Sequence, residues 1–513
     1  MKDPTRLSVL DLGSNSFHVL IADVDTTGAI VPVGREREML HLGAVVEQHG
    51  HIPDDARERA VGIVAHLTEL AGRLGAQRRL AVATSALRDA ANGAEVVADM
   101  EAAADTAIAV IDGDEEARLA YRGVRASIAA AVEPVLVFDL GGGSLELAAG
   151  TDTSVSWSAS LDLGVSRLSA ALESDPPTPA DLKALRKRVR SQVKPLRDDV
   201  RGLDAGTVVA VGGTVRAIAR VVATANATWL PATINHLEVA TADIRTLATD
   251  LSALTASERA QVPGMKSKRA DRLHVAATIL ATVLETLDVP AVTVSDWGLR
   301  EGLLVDAMGA DTLRSAGDLR RDEAMRMQRA FTPSDPHLTH VANLAVALFD
   351  GTRDLHGMDD DDRDLLWCGA ALHDIGESLA IRGHHKHGAY LIEHAELRGF
   401  TPRDTAMLAS MVRFHKSRGL NADFIPYASL RDRDQRRVEQ MTALLQVADG
   451  LDRARDQAVT GLDVSTNAKR VDVRLQGTGL HVARAEVDRK TALFERVFDL
   501  DVRVRDGGDD VRT

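Results

Sequence analysis

The chain has 513 residues, a net charge of −14, 45% hydrophobic and 27% charged residues, and only 3% aromatics. That length exceeds what one core holds and points to several domains. The acidic balance excludes a general nucleic-acid binder, which needs a basic footprint, and scarce rings argue against base stacking. The single cysteine, Cys368, rules out an intrachain disulfide framework, fits a reducing compartment and reads as a core filler. The first residues lead into a strand without a basic-then-apolar leader, and no apolar run is long enough to span a bilayer. A cytoplasmic protein with no membrane partner is expected.

Taken in chain order, Leu7 to Asp11 and Phe17 to Asp23 predict a hairpin around a Gly turn, Asp11-Leu12-Gly13-Ser14-Asn15-Ser16. Residues 54–74 carry helical spacing. Arg79 to Thr84 reads as a buried strand whose end, Thr84-Ser85-Ala86-Leu87-Arg88-Asp89, turns into a helix. Ile108 to Asp112 predicts another strand, and Gly113-Asp114-Glu115-Glu116 opens a helix to about Gly123. The first turn then recurs as Phe138-Asp139-Leu140-Gly141-Gly142-Gly143-Ser144-Leu145-Glu146, with Glu146 where the first copy has His18. Thr178 is an expected N-cap with Pro179 at the first helical position. Val208 to Val211 is a buried strand ending at Gly212-Gly213-Thr214, before a helix bearing Arg216. A strand from Ala291 to Ser295 and a helix beyond Asp296 close this half. From about Leu313 the pattern turns helical, and Leu462 to Val504 reads as a small α+β element with alternating strands such as Val471 to Leu475.

The chemistry concentrates at turns that follow strands. Successive backbone amides with small side chains make an anion cradle, and the Asp before each turn offers a carboxylate to a metal. A lone Gly turn is equally a tight hairpin; two matching copies favour a polyphosphate and its metal held between two lobes. Gly212, Gly213 and Thr214 form a third cradle at a helix start. Thr84 and Ser85 form a fourth, with Arg88 able to grip a phosphate. Glu115 and Glu116 are either ordinary first-turn acids or reactive groups, and Glu146 is either an outward strand residue or an acid/base group. The basic stretches Lys183 to Lys194 and Lys266 to Arg272 are either solvated faces or guides for a polymer. Farther on, His337, His373-Asp374, His385, His387, His415 and Asp449 combine imidazoles and carboxylates as a divalent metal requires.

Together these motifs resemble the exopolyphosphatase and guanosine pentaphosphate phosphohydrolase family, within the sugar kinase, heat-shock protein 70 and actin superfamily. The carrying residues are Val9 to Ser16, Ala83 to Arg88, Ile111 to Arg118, Phe138 to Ser144 with Glu146, Leu163 to Arg167, and Val211 to Thr214. The resemblance implies an α/β fold of two actin-like (ribonuclease H-like) lobes, 1–129 and 130–310, with a cleft between them. An all-α HD-like domain at 311–455 and a small α+β element at 456–513 would follow. It implies an exopolyphosphatase that releases orthophosphate from inorganic polyphosphate, with Mg²⁺ (or Mn²⁺) as cofactor and a homodimer as the assembly. Glu116 would activate the water, with Glu115 as the alternative. Glu146 would be a second essential carboxylate, and Asp139 and Asp11 would attend the metal. Arg88, Arg167 and the Gly turns would contact phosphate. His337, His373, Asp374 and Asp449 match a second divalent-metal site in the HD-like domain. A guanosine pentaphosphatase is the nearest rival, and an actin-superfamily kinase or scaffold a more distant one.

Overall fold

Runs of Val, Leu, Ile and Ala build three sheets in the computed structural model, which describes residues 4–506 apart from 26–28, 129–131, 152–153, 173, 310–315, 334, 418 and 468. The expected boundaries at 129–130 and near Leu313 fall outside the described residues. By contacts the chain forms two units, Met1–Asn226 with Ile234–Arg314, and Ala227–Thr233 with Ser315–Thr513. Among the described residues no helix is long and apolar enough to cross a membrane.

The first unit contains the same fold twice. Strands β1 (Thr5–Leu12), β2 (Ser16–Val24), β3 (Ile30–Met39), β4 (Arg78–Ala83) and β5 (Ala109–Val110) lie in the order β3-β2-β1-β4-β5. Strands β6 (Val135–Leu140), β7 (Leu145–Thr151), β8 (Ser154–Leu161), β9 (Thr207–Val211), β10 (Glu238–Ala240) and β11 (Ala291–Val294) lie in the order β10-β11-β9-β6-β7-β8. Each sheet starts with an antiparallel three-strand meander and adds a strand parallel to the first. This is the actin-like pair of α/β lobes, and the register repeats as well. Asp11 faces His18 across β1 and β2, as Asp139 faces Glu146 across β6 and β7.

Helices cover the sheets through apolar stripes. On the Asp54–Arg73 helix the buried Ala56, Ala60, Val64, Leu67 and Ala71 recur at helical spacing. Thr178 caps the Pro179–Val193 helix, accepting from the Asp181 amide in a reciprocal capping box. The Gly113–Ser127 helix runs one turn beyond the expected Gly123, because its last turn, Val124 to Ser127, stays buried. The strand expected over residues 108–112 shrinks to the two residues of β5 at an exposed sheet edge. Gly123 lets the Gly113–Ser127 helix meet the Leu299–Met308 helix: a Cβ there would stand 2.0 Å from the Gly298 carbonyl oxygen.

In the second unit, helices Pro336–Gly351, Asp360–Leu372, His384–His394, Pro402–Phe414 and Asp432–Leu451 surround an apolar core. Strands β12 (Val459–Thr466), β13 (Arg470–Gly477) and β14 (Asp501–Asp506) form its sheet. Val459, Val471, Val473 and Leu475 join the helical core, so the α+β element read as an appendage shares its hydrophobic centre. Residues 227–233, expected within the second lobe, belong to this unit instead. Trp229 packs on its core and the Ala232 amide donates to the Glu393 carbonyl.

Candidate active site

The strand-to-turn junctions of the first unit converge on a cleft of about 370 Å³. The two copied turns meet there. A Cβ on Gly142 would lie 3.0 Å from the Asn15 Cβ, and one on Gly143 would lie 2.0 Å from the Ser85 hydroxyl. Only glycine allows this approach. Ser14 and Ser85 share a 2.7 Å hydrogen bond, and Ser14 Oγ also accepts from the Ala86 amide at 3.1 Å. Gly212 has φ +106° and sits against Asp139, its would-be Cβ 3.0 Å from the carboxylate. Thus Asp11, Gly13, Ser14, Asn15, Ser16, Thr84, Ser85, Asp139, Gly141, Gly142, Gly143, Ser144, Gly212, Gly213 and Thr214 all line one space.

The carboxylates crowd one another. Glu116 and Glu146 are 9% and 1% exposed, and each has an oxygen with no hydrogen-bond partner. Burial, then the neighbouring Glu146, Asp139 and Asp11 charges, hold Glu116 well above the usual carboxylate range. Burial and Asp139 push Glu146 up to about 8, against the pull of its Ser144 and Ser160 hydrogen bonds. Asp139 is pushed to about 6, chiefly by burial and by Asp11. Like charges packed this closely call for a cation. Among the described residues, no three His, Cys, Asp or Glu side chains of the cleft bring ligand atoms within 4.8 Å of one another.

Facing them is a cationic rim. Arg37, Arg216, Arg269, Arg272, Arg300 and Lys268 line the same cleft. Burial and repulsion from Arg37 and Arg216 push Arg269 down to about 10, and burial with Arg300 and Arg216 lowers Arg37. His18 is pushed to about 2 by burial and by four arginines, Arg300 first, so it is neutral. It accepts from Arg300 at Nδ1, 3.1 Å away, and its Nε2–H donates to Ser16 Oγ at 2.8 Å. Arg272 donates to Asn15 Oδ1 and Ser166 Oγ, both at 3.2 Å, tying the basic segment to the first turn.

Four expected residues, Glu146, Glu115, Arg88 and Arg167, do not line the cleft. Glu115 pairs with Arg118 at 2.7 Å, which pairs with Asp306, and does not line the cleft; Glu116 does. Arg88 donates to the Ile111 carbonyl and lies 3.8 Å from Glu116, behind the lining. Arg167 braces the second turn, donating to the Gly143 carbonyl, and pairs with Asp89. The Lys183 to Lys194 stretch lies on the Pro179–Val193 helix and its end, outside the cleft, whereas Lys268, Arg269 and Arg272 face into it. Arg37 and Arg300 escaped the sequence reading. Arg300 carried a usable signal: Gly298 opens a helix just past a buried strand, like the other turns.

In the second unit His337, His373, Asp374 and Asp449 come together, joined by His415 and by His384. His385 and His387, included in the sequence cluster, are not members. They lie one and three positions along the helix that His384 starts; the His385 ring stands beside the cluster, 6.4 Å from the His415 ring, without joining either ligand group.

The model of the Ppx/GppA phosphatase family matches residues 20–311, and that of Ppx/GppA phosphatase domain III matches 319–486. An uncharacterized protein of Streptomyces coelicolor is 33% identical over 303 residues, 58% of this chain and 89% of that protein. Exopolyphosphatase 1 of Mycobacterium leprae is 30% identical over 310 residues, 60% of this chain and 90% of that one. The crystal structure of an exopolyphosphatase from Cytophaga hutchinsonii is 25% identical with a TM-score of 0.54, covering 60% of this chain and all (100%) of that one. An Aquifex aeolicus Ppx/GppA family member, also 25% identical, has a TM-score of 0.52 over 59% of this chain and 97% of that one.

Proposed function

The chain belongs to the Ppx/GppA phosphatase family and is a phosphatase hydrolase, and from that premise we propose that it removes terminal orthophosphate from inorganic polyphosphate. One observation carries the choice of substrate: crowded carboxylates and crowded arginines face one another across a cleft whose only ring side chains, among the described residues, are His18 and His41. That lining suits a phosphate chain and its metal, and offers a nucleobase no aromatic face to stack on.

The residues divide the work. The amides and hydroxyls of the Asp11–Ser16, Asp139–Ser144 and Gly212–Thr214 turns hold the terminal phosphate oxygens. Arg37, Arg216, Arg269 and Arg300 neutralise charge on the terminal and adjacent phosphates, where phosphoryl transfer needs it most. Asp11 and Asp139 would hold Mg²⁺, which when bound supplies further neutralisation at the phosphate oxygens. Glu116 accepts a proton from water as the water oxygen forms its bond to the terminal phosphorus. The anhydride P–O bond breaks, and the shortened polyphosphate leaves with that oxygen. A base held above the usual carboxylate range is matched to neutral pH. Glu146, hydrogen-bonded to Ser160 at 3.0 Å, places a second carboxyl group opposite Asp139. Arg88, at 3.8 Å, steadies the ionised Glu116.

The test is phosphate release by the full chain from long polyphosphate, guanosine pentaphosphate and ATP in parallel. The highest kcat/KM on polyphosphate is expected; a higher value on guanosine pentaphosphate overturns the assignment.

A further inference from the structure

Six side chains from five helices meet in the second unit, far along the chain from the cleft residues. His337 sits in the first turn of the Pro336–Gly351 helix, and His373 and Asp374 follow the Asp360–Leu372 helix. His384 starts the next helix, His415 follows Pro402–Phe414, and Asp449 lies in Asp432–Leu451. None is more than 2% exposed. Burying four imidazoles and two carboxylates is costly unless every polar atom finds a partner. Yet His337 Nε2, His373 Nε2, Asp374 Oδ1 and Asp449 Oδ1 have no hydrogen bond.

The outward atoms, by contrast, are all engaged. His337 Nδ1 lies 2.8 Å from Asp452 Oδ2, and His373, His384 and His415 direct Nδ1 to the carbonyls of Ala370, Ile381 and Val412 at 2.7–2.8 Å. Each ring is therefore locked with Nε2 pointing inward, the orientation that supporting groups impose on metal-binding histidines. The inward atoms are spaced for ions. Two donors about 2.1 Å from one ion stand roughly 3.0–3.4 Å apart at octahedral or tetrahedral angles. Asp374 Oδ1 is 3.0 Å from His384 Nε2 and 3.4 Å from His415 Nε2, and those two nitrogens are 3.3 Å apart. On the other side, Asp374 Oδ2 is 3.5 Å from His373 Nε2 and 4.0 Å from His337 Nε2, and both nitrogens are 3.8 Å from Asp449 Oδ1.

We propose that this cluster is a two-metal centre, with Asp374 bridging one ion held by His337, His373 and Asp449 to a second held by His384 and His415. The sequence pattern suggested one ion on four residues; the geometry divides six residues between two. Four imidazoles and two carboxylates select first-row ions such as Mn²⁺, Fe²⁺ or Zn²⁺ over Mg²⁺. Two divalent ions outweigh two carboxylates, and each keeps open positions, so a loaded centre takes an additional anion or hydroxide. Arg455 and Lys490, 2.9 and 2.8 Å from Asp374 Oδ2 and Asp449 Oδ2, balance and orient the carboxylates from outside. The proposal is independent of the substrate assigned to the first unit.

The test is to strip the full-length protein, reload it with Mn²⁺ alone and remove excess ion on a desalting column. Retained metal is then counted by elemental analysis, and the spin state read by electron paramagnetic resonance. Two retained ions per chain, a spin-coupled signal and imidazole nitrogen couplings are expected. The His384→Gln/His415→Gln pair should retain one ion and lose the coupling, with polyphosphate hydrolysis unchanged. Should that variant fail to fold, the wild-type count still decides: fewer than two retained ions, or two without coupling, overturns the proposal, as does an unaltered count in a folded variant.

Discussion

Glu116 and Glu146 differ by what surrounds them, and each yields a prediction. Glu116→Gln keeps the size of the side chain but removes the base, so kcat on polyphosphate should fall about 10²- to 10⁴-fold. KM should hold or decrease, because one charge that repels the substrate is gone; steady-state kinetics on folded variant reads both. Glu146 gives a stability signature instead. Its native pKa is about 8 against an ordinary 4.5, so between those values the folded state binds more protons than the unfolded state. Stability is therefore fullest at acid pH and declines as pH rises toward 8, by at most about 5 kcal/mol. Urea unfolding of metal-free protein across that range should show the decline, and Glu146→Gln should reduce it, leaving the share of Glu116 and Asp139.

At the scale of elements, the cleft depends on helices and turns that approach closer than a side chain allows. Gly123 and Gly302 let the Gly113–Ser127 helix, which carries Glu116, rest on the Leu299–Met308 helix, which carries Arg300. Gly123→Ala would drive a methyl into the Gly298 carbonyl. It should cost about 1–3 kcal/mol, read as a lower Tm, and should lower kcat because Glu116 and Arg300 shift together. Gly62, on the Asp54–Arg73 helix, has no neighbour within 4 Å of a would-be Cβ. Gly62→Ala is thus the control, with Tm unchanged or raised by the gain in helix propensity.

For the molecule as a whole, the net charge of −14 opposes a polyanion, and local arginines must overcome it. Polyphosphate affinity should fall with ionic strength, and Arg269→Ala with Arg272→Ala should lower the slope of log affinity against log salt. Equilibrium binding to chains of two lengths measures this. An equal slope for short and long chains would confine the grip to the chain end. Removal of divalent metal with EDTA should abolish phosphate release and Mg²⁺ should restore it, since Asp139, Glu116 and Glu146 stay above the usual carboxylate range despite the nearby arginines.

The sequence alone determined the duplicated lobe, because a strand ending in Asp, a Gly turn and a second strand are local features, legible twice within 150 residues. It also marked the Gly turns, Glu116 and the His373-Asp374 pair, whose chemistry is carried by neighbours in the chain. It did not separate Arg300 and Arg37 from the many surface arginines, nor His384 from His385 and His387. Those distinctions depend on which face of an element meets a distant one, set by packing across hundreds of residues rather than by local spacing. The sharing of Asp374 by two sets of histidines was likewise decided by tertiary structure alone. Five separate helices must dock before their inward nitrogens come within reach of one carboxylate.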